Sequence, residues 1–247
     1  MRRLLLILLL IVAFVTTPQY AFSRNYVFCV GINTYSMDVG RLRVSTNDAK
    51  TIKKVFKKNG RSSVSIITDS AATCEAVLRG MKYTFSRAKS NDVVIFFFSG
   101  HGTEYGLLCY DGILNNDKIL NEFKQCKAGT KMIIADACYS GKLRNDSAWR
   151  EIYNGEKVIL FLSSRTDETS IETVFNNSLF TIYLERGLRG GADTNKDRAI
   201  TARELYDFVH EGVTKDSRDT QHPVMWGEFN GDMPIIKWEN KKSSKNK

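Results

Sequence analysis

The chain has no internal repeat and no linker to divide it, so its 247 residues suit one sizeable α/β domain rather than two. Its five cysteines, Cys29, Cys74, Cys109, Cys126 and Cys138, lack the dense spacing of a disulfide scaffold. An odd number leaves at least one thiol free, even if export permits one or two bridges. The apolar share of 43% is ordinary for a globular protein, so a packed core needs no disulfide. The amino-terminal apolar run, Leu4 to Val15, is shorter than the ~20 residues that a bilayer span prefers. It follows the basic pair Arg2-Arg3 and precedes Ala21-Phe22-Ser23, a small-x-small site. Residues 1–23 therefore read as a secretory signal, cleaved after Ser23. No cysteine stands at that site, which argues against a lipid-anchored terminus. The expected location is exported, periplasmic or secreted, with no stable membrane span after cleavage. Charge does not point to nucleic acid either. Of the formal +9, Arg2 and Arg3 leave with the signal, and Lys241, Lys242, Lys245 and Lys247 crowd a tail at residues 239–247. That tail has no interleaved aromatics and no folded basic face, and reads as a solvated end.

What the sequence does have is a pair of apolar runs with one grammar. Lys131–Gly141, KMIIADACYSG, is a short buried strand that stops in small and polar residues, with Cys138 just beyond it. Asp92–Phe98 followed by Ser99-Gly100-His101-Gly102 repeats the design. Open α/β sheets place ligands and chemistry at the carboxyl ends of their strands. If the two strands are parallel neighbours, about 4.8 Å apart, His101 and Cys138 emerge at one edge. Singly, each has a bland reading: a cysteine after a strand is often a small core hydrophobe, and a histidine beside glycines a turn residue. Together they form a thiol–imidazole pair, the minimum for a cysteine nucleophile.

Elsewhere, Tyr26–Ile32, Val64–Ile67 and Val158–Leu162 read as further strands, and Cys29 as core within the first. Ser45-Thr46-Asn47-Asp48 offers helix caps before Ala49, Ile52, Val55 and Phe56. Ser70 or Thr73 opens a second helix, Asp117–Phe123 is a short crossover helix, and Phe175–Leu188 and Ala202–Val213 are two more. Gly106–Gly112 is an extended segment with a turn. Strands alternating with helices predict a single α/β domain over residues 24–238, with a mostly parallel sheet covered on both faces.

Ser99-Gly100-His101-Gly102, with Asp136-Ala137-Cys138-Tyr139-Ser140-Gly141 about 35 residues further on, resembles the caspase-fold cysteine peptidases, in particular their bacterial metacaspase-like branch. The resemblance runs from about Tyr26 to Ile236. It implies a caspase-like fold and an endopeptidase in which Cys138 attacks the scissile carbonyl and His101 manages the proton. It puts the oxyanion donors on the backbone N–H groups of Gly102 and Cys138, where glycine allows the substrate backbone to come close. It also implies an acidic pocket for a P1 arginine or lysine, formed by Asp48, Ser99 and Asp136. Ser45-Thr46 stands where the branch usually has glycine-cysteine, so the cysteine member of that pocket is missing. Asp48 has a second reading, as a carboxylate favoured by a helix N-terminus. Protein or peptide substrates are the implied partners, and no cofactor is needed for the chemistry. The oligomeric state is open. Other readings are a non-catalytic caspase-fold binding module and a thiol acyltransferase of the same clan.

Two further segments carry expectations. The polar loop Lys142–Glu156 offers Lys142, Arg144 and Arg150 to an acidic pocket, which suits self-cleavage. Asp193, Asn195, Asp197 and Glu204 follow the spacing of an EF-hand loop, which makes calcium a possible ligand. Arg198 stands where that loop expects glycine; the alternative is a solvated turn capped by Thr201.

Overall fold

Apolar runs rich in β-branched and aromatic residues form the strands, and amphipathic segments cross between them. In chain order these are β1 (Asn25–Gly31), α1 (Ser45–Lys58), β2 (Ser62–Thr68), α2 (Cys74–Phe85) and β3 (Val93–Ser99). Three short strands follow, β4 (Gly102–Thr103), β5 (Gly106–Cys109) and β6 (Gly112–Asn115), then α3 (Asn116–Lys124) and β7 (Thr130–Asp136). After β8 (Val158–Leu162) come α4 (Leu179–Arg186), β9 (Ala199–Thr201), α5 (Ala202–Asp216), β10 (Val224–Trp226) and β11 (Pro234–Lys237). The computed structural model describes residues 23–137, 158–165, 171–173, 176–227 and 231–238. Residues 1–22, Cys138, the Lys142–Glu156 loop and the basic tail lie outside these.

The central sheet has the order β10-β8-β7-β3-β1-β2. Its pairs are parallel except for β10 on β8. Since successive side chains alternate across a strand, a fully buried strand feeds both faces. β3 shows this directly: Phe96 and Phe98 enter one core with Phe28, Met81, Phe85 and Phe123, and Phe97 enters the other with Phe56, Phe161, Phe180 and Val209. α2 and α3 therefore cover one face, and α1, α4 and α5 the other. Each of the three phenylalanines is wholly buried, a contribution on the order of 2 kcal/mol apiece. This is the caspase-like α/β architecture expected, with a mostly parallel sheet and helices on both faces.

The differences lie at helix starts and at small strands. α2 begins after Thr73, whose side chain accepts from the Ala76 N–H at 3.2 Å, while Ser70 sits in a 3₁₀ turn. The expected caps of α1 are inside the helix instead. Val44 is its N-cap residue and makes no side-chain cap bond; the Thr46 N–H in the first turn donates to Asn33 Oδ1 at 3.2 Å. The N–H groups of Arg43 and Val44, at the entry to the helix, donate to the Glu172 carboxylate, 129 and 128 residues away, a tie with no local signature. The helix expected from Phe175 starts only at Leu179, behind the N-cap Ser178. Ala199–Thr201 and Pro234–Lys237 pair as a separate two-stranded sheet, and β4, β5 and β6 form a third. These strands are two to four residues long, too short for a periodic signal.

β1 ends at Gly31 because α1 starts against it. A Cβ there would overlap the Ser45 carbonyl oxygen and come within 2.8 Å of Ala49 Cβ. Gly31→Ala should thus push the first turn of α1 away from the sheet, at a cost of about 1–3 kcal/mol. Thermal unfolding should show Tm lower by roughly 2–12 °C. An unchanged Tm would mean that this contact does not position α1.

Candidate active site

β3 and β7 run side by side in parallel, and Ser99 pairs with Asp136 at the end of the ladder. The Gly100 N–H still donates to the Asp136 carbonyl at 3.1 Å. His101 follows Ser99 by two residues and Cys138 follows Asp136 by two. Cys138 itself is not among the described residues, but the two strands that lead to the pair are adjacent, parallel and in register.

His101 is held from three sides. Its backbone N–H donates to the Tyr35 hydroxyl at 2.8 Å, and that hydroxyl donates in turn to the Ile32 carbonyl at 3.2 Å. The Tyr35 and His101 rings lie 5.1 Å apart between centroids. Gly100 must be small for this: a Cβ would come 2.9 Å from the Tyr35 oxygen. The imidazole Nε2 hydrogen-bonds to the Gly40 carbonyl, which can only accept, so Nε2 carries the proton. Nδ1 is then the nitrogen left to exchange a proton with a nucleophile. Sequence reasoning named no histidine-orienting group. It could not have, because the orienting atom is a backbone oxygen 61 residues upstream.

The hairpin after His101 aims a second group. The Leu108 N–H donates to the His101 carbonyl at 3.0 Å, and Thr103 faces Gly106 across the turn. Gly102 faces Leu107 between them. Bonded and non-bonded pairs alternate in an antiparallel ladder, so the Gly102 N–H points out of the hairpin.

Asp48 and Asp136 come together below this edge, both buried. Asp48 lies in the first turn of α1, so its two sequence readings describe one residue. Its Oδ2 accepts from Ser99 Oγ at 2.9 Å; its Oδ1 accepts from Asn177 Nδ2 at 2.9 Å and the Ser178 N–H at 3.0 Å. Ser178 Oγ donates to Asp136 and accepts from the Thr181 N–H at 3.0 Å. One serine thus caps α4 and joins the two carboxylates. Asn177 and Ser178 were missed from sequence because Ser178 is assigned only once α4 starts at Leu179. With Leu42, Val44, Ser45, Glu172 and the Gly100–Ala137 edge, the acids line a cavity of about 30 Å³.

Burial raises the Asp48 carboxyl most, and the nearby Asp136 charge raises it further; Asn177, Ser178 and Ser99 oppose the rise through hydrogen bonds. The outcome is a pKa pushed up to about 7. The pair is a buried acidic site at the carboxyl edge of the sheet.

The Asp193–Glu204 loop is closed on its own side chains. Asp193 accepts from the Asp197 and Arg198 N–H groups at 3.1 Å each, and Asn195 Oδ1 from the Asp197 N–H at 2.8 Å. Glu204 completes a capping box with Thr201 and also accepts from Thr194 Oγ1 at 2.9 Å. Arg198 adopts the left-handed φ of 67° at the place where glycine is expected. Among the described residues, no group of three or more His, Cys, Asp or Glu is placed to hold a metal ion. The loop as folded matches the capped turn better than the calcium site. Cys29, Cys74, Cys109 and Cys126 are free thiols, with Cys29 buried in the core as expected. No described helix is long and apolar enough to cross a membrane.

A parallel sheet with a histidine and an acidic pocket at its carboxyl edge, and a cysteine two residues beyond the neighbouring strand, defines a caspase-type cysteine peptidase. Residues 24–232 match the caspase domain of the C14 peptidases, and the chain belongs to that family. It is 22% identical over 252 residues to Metacaspase-1 of Ajellomyces capsulatus, covering 85% of this chain and 69% of the relative. Its fold is similar to that of Caspase-1 from Spodoptera frugiperda, with a TM-score of 0.65 and 17% identity over 89% of this chain and 92% of the other. A Geobacter sulfurreducens protein is similar too, with a TM-score of 0.66 and 16% identity, covering 87% of this chain and the whole of the other.

The raised pKa of Asp48 makes a signed prediction. A carboxyl whose folded pKa lies above its unfolded value lowers stability as pH rises between the two values, here from about 4 to about 7. Asp48→Asn removes that slope. The variant should be more stable than wild type by roughly 2 kcal/mol at pH 8, with the gap narrowing toward pH 4. Urea unfolding at several pH values measures it; a gap independent of pH would show that the Asp48 carboxyl titrates alike in the folded and unfolded chain.

Proposed function

We propose that this chain is an exported cysteine endopeptidase that cleaves after arginine or lysine. The observation that carries the specificity is the buried Asp48–Asp136 pair joined by Ser178. Two desolvated carboxylates repel, and a guanidinium placed between them would offset that repulsion through charge-assisted hydrogen bonds. Arginine should be preferred to lysine, because its planar fork reaches two carboxylates at once. The pocket acid of true caspase substrates would meet like charge here.

In the proposed reaction, His101 Nδ1 takes the Cys138 thiol proton, and the thiolate attacks the scissile carbonyl. The Gly102 and Cys138 N–H groups receive the oxyanion, a role that the outward-pointing Gly102 N–H supports. His101 then gives the proton to the leaving amine, and water, deprotonated by the same imidazole, releases the acyl group. Gly40 holds the ring in one tautomer throughout. Ser99 steadies Asp48 from the strand that delivers His101. Export rests on the signal-like residues 1–23, and self-processing on the Lys142–Glu156 loop next to the nucleophile in sequence. Calcium has no step in this chemistry, and to bind it Glu204 would have to release Thr201 and Thr194.

Asp136→Asn tests the specificity. Losing one partner of a desolvated charge pair costs about 2–5 kcal/mol, so kcat/KM for arginyl peptides should fall at least about tenfold. The thiol should still react with iodoacetamide, which separates pocket from nucleophile. Near-wild-type cleavage of arginyl peptides, or a wild-type preference for P1 aspartate, would sink this reading. In the same preparations, Cys138→Ala should stay whole where wild type yields two fragments; equal fragmentation would point to a contaminating protease.

The closed loop at Asp193 makes a separate prediction. Tm should be the same in millimolar calcium as in EDTA, since Glu204 already serves as a helix cap. A rise with calcium that Asp193→Asn abolishes would restore the calcium site.

A further inference from the structure

Two of the remaining cysteines stand in an arrangement that peptide cleavage does not use. Cys74 opens α2, and Cys109 closes β5. The backbones around them are tied twice: the Tyr110 N–H donates to the Ala72 carbonyl at 2.9 Å, and the Cys74 N–H to Asp111 Oδ1 at 2.7 Å. Cys74 Sγ lies 3.4 Å from the carbonyl oxygen of Gly112, the residue that faces Cys109 across β5 and β6. Cys109 is wholly buried in the core under α2, and Cys74 packs against that same cluster. Cys29 belongs to the core on the opposite face of the sheet, and the Cys126 sulfur meets the Phe85 carbonyl and the Ala128 N–H.

We propose that Cys74 and Cys109 form a reversible disulfide that fastens the start of α2 to the hairpin behind His101. The hairpin matters to the site because Leu108 holds the His101 carbonyl. Ser36, in the loop that carries Gly40, bonds through its N–H and its hydroxyl to the Tyr110 carbonyl, at 2.9 and 2.8 Å. A bond at Cys109 would therefore steady the His101 backbone and the loop that carries Gly40, the partner of its imidazole.

The oxidant is a disulfide, either oxidised glutathione or a thiol oxidoreductase of an oxidising compartment. The half-buried Cys74 attacks it first as thiolate, forming a mixed disulfide and releasing one thiolate. The Cys109 thiolate then attacks Cys74 Sγ and expels the second. Two protein thiols lose two protons and two electrons, and the oxidant is reduced to two thiols. Burial raises the Cys74 thiol, with the Asp111 carboxylate adding to it, and burial raises Cys109 as well. Exchange within the finished fold is consequently slow, and the bond forms during folding or under catalysis.

The oxidant depends on the proposed export, but the pairing does not depend on the peptidase reading, so the test needs no activity. Cys138→Ala protein, which has four thiols left, is refolded in reduced and oxidised glutathione, alkylated, and digested with trypsin without reduction. The expected product is peptide 62–79 joined to peptide 90–118, with Cys29 and Cys126 alkylated. Reduction should separate the peptides and lower Tm of the intact protein by about 5–15 °C for a loop of this length. Cys74→Ser and Cys109→Ser should each abolish that shift. Four alkylated thiols after refolding, or a linked peptide containing Cys29 or Cys126, would overturn the proposal.

Discussion

Ser99 and Asp136 face each other as the last partners of the β3–β7 ladder, and the site depends on that pairing. Both strands are buried on both faces, so a slip of one residue would exchange the faces of Phe96, Phe97 and Phe98 and misalign two cores at once. The cost of that exchange holds the register without help from the site. Register then decides that Asp136 lies beside Ser99, that Ser99 reaches Asp48, and that the chain leaves both strands at the same level toward His101 and Cys138. Hydrophobic burial thus positions polar chemistry to which it is otherwise indifferent.

The acidic pocket is the least favourable part of the fold. Desolvation and the mutual repulsion of Asp48 and Asp136 work against folding, and hydrogen bonds from Ser99, Asn177 and Ser178 offset only part of this. The small cavity and the Glu172 carboxylate at its rim link the pocket to α1, since Glu172 also receives the N–H groups of Arg43 and Val44.

Much of this was legible in advance. Long apolar runs announced β1, β3, β7 and β8, because a strand buried on both faces has no room for polar residues. The glycine-framed His101 and Cys138 marked the two strand ends, and the acids beside them followed from the family resemblance. What escaped was held by atoms without a residue signature or by partners far along the chain. Gly40 acts through its carbonyl oxygen, Tyr35 through a hydroxyl placed by a loop, and Glu172 ties the entry of a helix more than a hundred residues upstream. In the Asp193–Glu204 loop, the spacing of acids suggested calcium, whereas Thr201 and Thr194 take up the Glu204 carboxylate.

By itself, the sequence determined which segments are buried and which residues can do chemistry, since hydrophobic periodicity and side-chain type are local properties. It also determined that His101 and Cys138 each follow a strand end. Only the tertiary structure decided that those strands are neighbours in register, that Asp48 and Asp136 share Ser178, and that Nε2 of His101 is tied to Gly40. These are choices of pairing between distant parts of the chain. They are settled by the joint packing of two cores, and no single segment encodes them.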